Sequence, residues 1–160
     1  MLLAVDLGLR TGFALYSRDG RLLRYFSRSF PSRSAFRRGI RTLVSEMGAL
    51  DGIVVEGSGD LLRIWQQAAT SLGVPLRSIA AETWRADLLL PRERRSGAAA
   101  KQSSRVLARK VISWSGLGRP TSLLDDASEA ILVGLWAVIG LGWAEPPPGL
   151  TVSLHSFEPF

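Results

Sequence analysis

Asp6, Glu56, Asp126 and Glu129 are the residues of this chain whose types and placement could do chemistry. Asp6 and Glu56 each end an apolar run, Leu2-Leu3-Ala4-Val5-Asp6 and Gly52-Ile53-Val54-Val55-Glu56, that reads as a buried strand. Asp126 and Glu129 stand three apart at the start of a long apolar helix, so both point to one side of it. An ionised carboxylate against apolar surface is costly without a partner. Several of them beside the core of a basic chain point to a divalent cation as that partner. Mg2+ or Mn2+ prefers such hard oxygen ligands. Two ions roughly 4 Å apart would bind the attacking and leaving oxygens of a phosphodiester displacement. Each acid also has a plainer reading. Asp125-Asp126 suits the first turn of any helix, and an Asp before a glycine turn is often only a turn residue. Glu56 has no capping role, and the signal lies in the conjunction and order of the four.

The elements that must position these acids follow from the same sequence. Residues 2–7 and 11–16 read as two strands joined by the turn Gly8-Leu9-Arg10-Thr11-Gly12, and Asp19-Gly20 leads into a third strand over 21–30. Pro31-Ser32 opens a helix with Phe36, Ile40, Leu43, Val44 and Met47 on one face. Arg33, Arg37 and Arg41 line its other face, as a solvated surface. A fourth strand over 52–55 runs into Glu56, a helix spans 61–72 up to Gly73, and a fifth strand spans 74–80. A short turn or helix is expected around Thr83-Trp84-Arg85, a basic loop over 91–100, and helices over 101–114 and 123–141. This order predicts an α/β sheet with helices on both faces. Leu2, Ala4 and Asp6 share one side of the first strand. If the first and fourth strands are neighbours, Glu56 stands beside Asp6, with Asp126 and Glu129 closing the group from above. Residues 1–145 form one domain in this reading, and 146–160, opening with Pro146-Pro147-Pro148, a loosely held tail.

Composition narrows the partners. The 160 residues are 46% hydrophobic and 21% charged, with net charge +6, supplied mostly by arginine. Such a surface attracts nucleic acid through a long-range, salt-sensitive field. There is no cysteine, which removes disulfides and thiolate metal sites and agrees with a cytoplasmic location. No secretory signal is legible at the N-terminus. Residues 130–143 are the nearest approach to a membrane span but are too few to cross a bilayer, so they read as a core helix.

The pattern Asp6-Leu7-Gly8 with Thr11-Gly12, then Val54-Val55-Glu56, then Asp126-Ala127-Ser128-Glu129-Ala130, resembles the RuvC-type Holliday junction resolvases of the ribonuclease H-like superfamily. The similarity spans roughly residues 2–142 and keeps the family's order of elements. It implies a five-stranded mixed sheet whose first three strands are antiparallel, and a homodimer that resolves four-way DNA junctions by paired symmetric nicks. It further implies two Mg2+ ions per site, replaceable by Mn2+, held by Asp6, Glu56, Asp126 and Glu129, and no small-molecule cofactor or membrane partner. Arg85 and Lys101 (in Lys101-Gln102) match the family's two basic positions, where a cation could hold the scissile phosphate. Arg92, Arg94 and Arg95 in the preceding loop, with Arg10 in the first turn, are expected on the DNA backbone.

The departures from that family are specific. Glu129 replaces an Asp, the first turn is one residue shorter, and Gly57-Ser58-Gly59 stands where an aromatic wedge opens the junction centre. Trp65 and Trp84 are candidates for a replacement wedge, although both read first as packing residues. Three other readings stay open at this level. YqgF-like relatives share the Asp-x-Gly hairpin and act on structured RNA, though their fourth strand does not usually end in Glu. An ATP-binding domain of the sugar kinase and actin type starts with a similar hairpin but needs a second large lobe. A non-catalytic DNA-binding module gains nothing from clustered acids.

Overall fold

The computed structural model describes residues 1–155 and 157–159. Three strands in meander come first: β1 (Leu2–Asp6), β2 (Arg10–Tyr16) and β3 (Leu22–Ser29). Helix α1 (Arg33–Glu46) then crosses to β4 (Gly52–Glu56), and α2 (Asp60–Leu72) to β5 (Leu76–Ile79). Helices α3 (Ala81–Leu88), α4 (Gly97–Trp114) and α5 (Asp125–Gly140) complete the chain. The sheet order is β3-β2-β1-β4-β5. β2 is antiparallel to both neighbours, while β4 runs parallel to β1 and to β5. The sheet is therefore mixed and five-stranded, with β1 at its centre.

Alternation sorts the central strands into two cores. Leu3, Val5, Ile53 and Val55 pack on α1 and α2, with Phe13 stacked on Phe26 at 4.7 Å. Leu2, Ala4 and Val54 face the other way, into a core filled by α5 and flanked by α3 and α4. Every residue of α5 from Ala127 to Val138 is buried, as expected of a helix that is apolar all round. The apolar run over 130–143 is thus core through Val138 and packs against it beyond, and no helix among the described residues is long and apolar enough to cross a membrane.

Two glycines allow α5 to lie so close to the sheet. A Cβ on Gly12 would fall 1.9 Å from the backbone oxygen of Asp126, and one on Gly134 would fall 2.3 Å from the Tyr16 ring. Tyr16 in turn donates its hydroxyl to the Ile131 carbonyl at 2.6 Å, tying β2 to the middle of the helix.

In the C-terminal half, residues 81–88 form a helix, one of the two forms expected around Thr83-Trp84-Arg85, whereas the basic stretch over 91–100 differs from expectation in not being wholly loop. It holds a 3-10 turn at Pro91–Glu93, and α4 begins at Gly97, where the Ser96 hydroxyl accepts from Ala99 N. A serine cap followed by small residues starts this helix before its apolar periodicity is visible. Beyond the prolines the described residues of the tail make specific contacts, while Ser156 and Phe160 lie outside the described residues. Leu150, Val152 and Phe157 pack on the core, and Phe157 meets Trp136 edge-on at 4.9 Å. Buried Asp87 secures it, accepting from Trp136 Nε1 at 2.8 Å and from the His155 backbone N–H at 3.2 Å, with His155 Nδ1 2.9 Å away.

The Gly12 approach generates a test. Gly12→Ala forces backbone against backbone and should cost about 1–3 kcal/mol in urea unfolding. Gly118→Ala, where an added Cβ meets nothing, should stay within about 0.5 kcal/mol. Equal losses at the two positions would remove the close-approach argument.

Candidate active site

Asp6 and Glu56 are the last residues of the two central parallel strands and lie opposite one another in register. Each continues the face that carries Leu2, Ala4 and Val54, so both carboxylates project toward α5. The first turns of α5 arrive directly above, over Gly12, which is the register partner of Asp6 on β2. Oxygens of Asp6, Glu56 and Glu129 consequently lie within 4.8 Å of one another. Asp126 lines the same cleft as Asp6 and Glu129 but stands outside that three-oxygen group. Its Oδ1 is 3.8 Å from Arg10 Nε, and its Oδ2 is buried without a hydrogen-bond partner.

The electrostatic cost of this arrangement is concentrated on the strand acids. Burial pushes the Asp6 carboxyl up to about 8, and the nearby charges of Glu56, Glu129 and Asp126 add to the shift against a smaller opposing effect of Arg85. Burial likewise raises Glu56 to about 7, with the hydrogen bond from Trp84 holding it back and Glu129 adding to the rise. Crowded carboxylates in a low-dielectric site cannot all ionise alone. Protons or a cation must offset them. The residues present suit a divalent metal ion: the donors are all carboxylate oxygens, and Asp126 supplies a further buried oxygen without a partner.

The basic residues surround the acids at different depths. Arg85 on α3 donates through Nη2 to Glu129 Oε1 at 2.7 Å, while its own Nε is buried without a hydrogen-bond partner. Lys101 lies on the cleft wall with Nζ 3.8 Å from Asp125 Oδ2. Arg10 stands exposed at the cleft lip. Arg92, Arg94 and Arg95 are exposed around the 3-10 turn, and Arg94 shares a neighbouring hollow with Arg85, Glu82 and Ser96.

Sequence reasoning missed two residues here. Arg105, one helical turn beyond Lys101, lines the cleft and donates to Asp125 at 2.7 Å. Its spacing from Lys101 was the available signal. Trp84 is fully buried, in keeping with a packing residue, and what its sequence context does not signal is that its indole donates to Glu56 Oε2 at 2.6 Å. Trp65 is fully buried as well. Neither ring can insert into DNA from these positions, because each fills the core beside the sheet.

With the geometry in place, the chain can be set against known proteins. No protein-family model matches the sequence, and no curated protein matches it significantly. Its fold is the ribonuclease H-like α/β fold, and the structure is similar to the fowlpox virus resolvase solved with its substrate Holliday junction DNA. That likeness has a TM-score of 0.59 at 13% identity and covers 84% of this chain and 96% of the viral one. A ROK family protein from Streptococcus pneumoniae, solved in complex with sucrose, gives a TM-score of 0.43 at 21% identity over 53% of this chain and 36% of its own. A score that low carries no argument about shared architecture.

The raised carboxyls make a linkage prediction. Folded-state values above the unfolded ones mean that the metal-free cluster favours folding less as pH climbs from about 4 to about 8. Asp6→Asn relieves that repulsion. In EDTA it should raise Tm over wild type by more at pH 8.5 than at pH 4.5. Mg2+ at pH 8.5 should narrow the gap by stabilising the wild type. A gap independent of pH would refute the crowding argument.

Proposed function

We propose that this chain is a metal-dependent DNA endonuclease of RuvC-like type that resolves four-way junctions by paired symmetric nicks. The observation that carries the reading is the convergence of Asp6, Glu56 and Glu129 oxygens at one end of a ribonuclease H-like sheet. The fold likeness to a viral resolvase and the net charge of +6 support the choice of branched DNA as substrate.

Asp6, Glu56, Asp126 and Glu129 would hold the divalent metal, two ions per site. Mg2+ is the proposed metal, with Mn2+ able to replace it. Bound there, the metal supplies Lewis acidity and an activated water at neutral pH. The chain's own residues do the rest. Lys101 and Arg105 face the cleft, where cations can bind the scissile phosphate and offset its developing charge. Arg10, at the lip, and Arg92, Arg94 and Arg95, around the turn before α4, grip the phosphates of the flanking arm without reading sequence. Arg85, which pairs with Glu129 at 2.7 Å beside the acid cluster, would be a further cation for the phosphate. Cutting two symmetric strands requires two such sites, so the acting unit is a homodimer.

The test is cleavage of synthetic four-way DNA junctions with and without Mg2+, beside linear duplex and structured RNA. Junction cutting should depend strictly on metal. Asp6→Asn and Glu56→Gln should abolish it while leaving junction binding intact, and Lys101→Ala should slow it by about 100-fold. Cutting at normal rate by Asp6→Asn would remove the mechanism. Preferential cutting of RNA would move the protein to the RNA-processing branch, and junction binding without cutting under any divalent metal would make it a binding module.

A further inference from the structure

We infer that Trp84 is a positioning residue for Glu56, fixing the orientation in which that carboxylate meets a metal ion; the inference rests on the metal-site reading above and extends it beyond the acids themselves. Glu56 ends β4 on a side chain with three rotatable bonds, so its strand sets where it starts but not where its oxygens point. The Trp84 indole Nε1 donates to Glu56 Oε2 at 2.6 Å, with the ring fully buried. An indole N–H is a donor only, so the bond has a single polarity and Glu56 must accept. A hydrogen bond to a carboxylate is also among the stronger kinds. The bond engages one oxygen of the pair and leaves the other for the ion.

The local chain explains why this residue is in reach. Glu56 pairs in register with Ile79 on β5, and α3 starts two residues beyond Ile79. The first turn of α3 therefore packs beside the end of β4, with Trp84 in the same core as Val54. The next residue, Arg85, ties Glu129 at 2.7 Å. Two consecutive side chains of α3 thus hold two members of the acid cluster. They differ in kind: Arg85 is a cation partly open to solvent, whereas Trp84 is neutral and locked in the core. Only the indole can orient its acid without competing with a metal ion for it.

The molecule contains its own control. Trp136 is equally buried and donates to a carboxylate at 2.8 Å, but that carboxylate is Asp87, which anchors the C-terminal segment and is not in the acid cluster. Trp84→Phe and Trp136→Phe each remove one buried indole–carboxylate bond, and only the first should affect metal. Mn2+ titrated calorimetrically into folded protein should bind Trp84→Phe roughly 10–100-fold more weakly than wild type, and Trp136→Phe as well as wild type. In 15N-labelled wild-type protein the Trp84 indole N–H resonance should move on adding Mg2+, while that of Trp136 stays in place. Wild-type affinity in Trp84→Phe, or a stationary Trp84 resonance at saturating Mg2+, would overturn the role. If Trp84→Phe does not fold, the resonance in the wild type decides. Wild-type protein that binds neither ion would overturn both this role and the metal-site reading. Weaker Mn2+ binding by Trp84→Phe in a protein that cuts no junction would uphold the role and remove only the nuclease.

Discussion

The structure turns on one electrostatic constraint: carboxylates on two neighbouring parallel strands and on one helix must share the same partly buried end of the sheet. Asp6 and Glu56 are opposite one another by register, and Glu129 is brought down on them by α5. Such a group is unfavourable by itself, since burial and mutual repulsion both oppose ionisation. A fold under selection for stability alone would not gather it. Arg85 and Trp84 soften the arrangement by pairing and hydrogen bonding, yet the Asp6 and Glu56 carboxyls stay raised.

The remainder of the architecture serves to hold that end of the sheet in place. α5 is apolar around its whole circumference, so it can be sandwiched between the sheet and the layer made by α3, α4 and the C-terminal segment. Its acidic first turns lie at the sheet end because Gly12 has no side chain to keep them away. Tyr16 and Gly134 set the depth further along the helix. The C-terminal segment closes the outside of this layer through Phe157 on Trp136 and through Asp87. The outer side of an apolar helix is thus covered by elements of the same chain.

Charge is distributed to match. Asp6, Asp125, Asp126 and Glu129 line the cleft together with Arg10, Lys101 and Arg105, and further arginines stand around the turn before α4. A cation bound by the acids would cancel negative charge where a phosphate has to approach, leaving the basic rim to attract it. The α1 arginines behave differently: Arg33 pairs with Asp60 of α2, and Arg37 and Arg41 are exposed on the helix face turned from the core, as a solvated face would be.

Much of this was legible from residue order. Apolar and β-rich runs bounded by turn signals located all five strands, and the alternation along Leu2, Ala4 and Asp6 named the face that α5 covers. Spacing of three placed Asp126 and Glu129 on one side of their helix, because local geometry alone sets that relation. Other features depend on contacts between distant segments and left no local mark. Trp84 reads from sequence as one more aromatic; that it donates to an acid 28 positions away follows from the pairing of β4 with β5. Asp87 looks like an ordinary helix acid until His155 and Trp136 are folded onto it. Asp126 lines the cleft beside Asp6 and Glu129 without joining the three acids whose oxygens lie within 4.8 Å of one another, because helix placement, not periodicity, decides which oxygens meet. Sequence determined the identity of the elements and the side on which each acid emerges, through short-range backbone periodicity. Which of those acids converge, and what holds them there, was decided only by tertiary packing, where strand register and the approach of α5 set distances that no local pattern encodes.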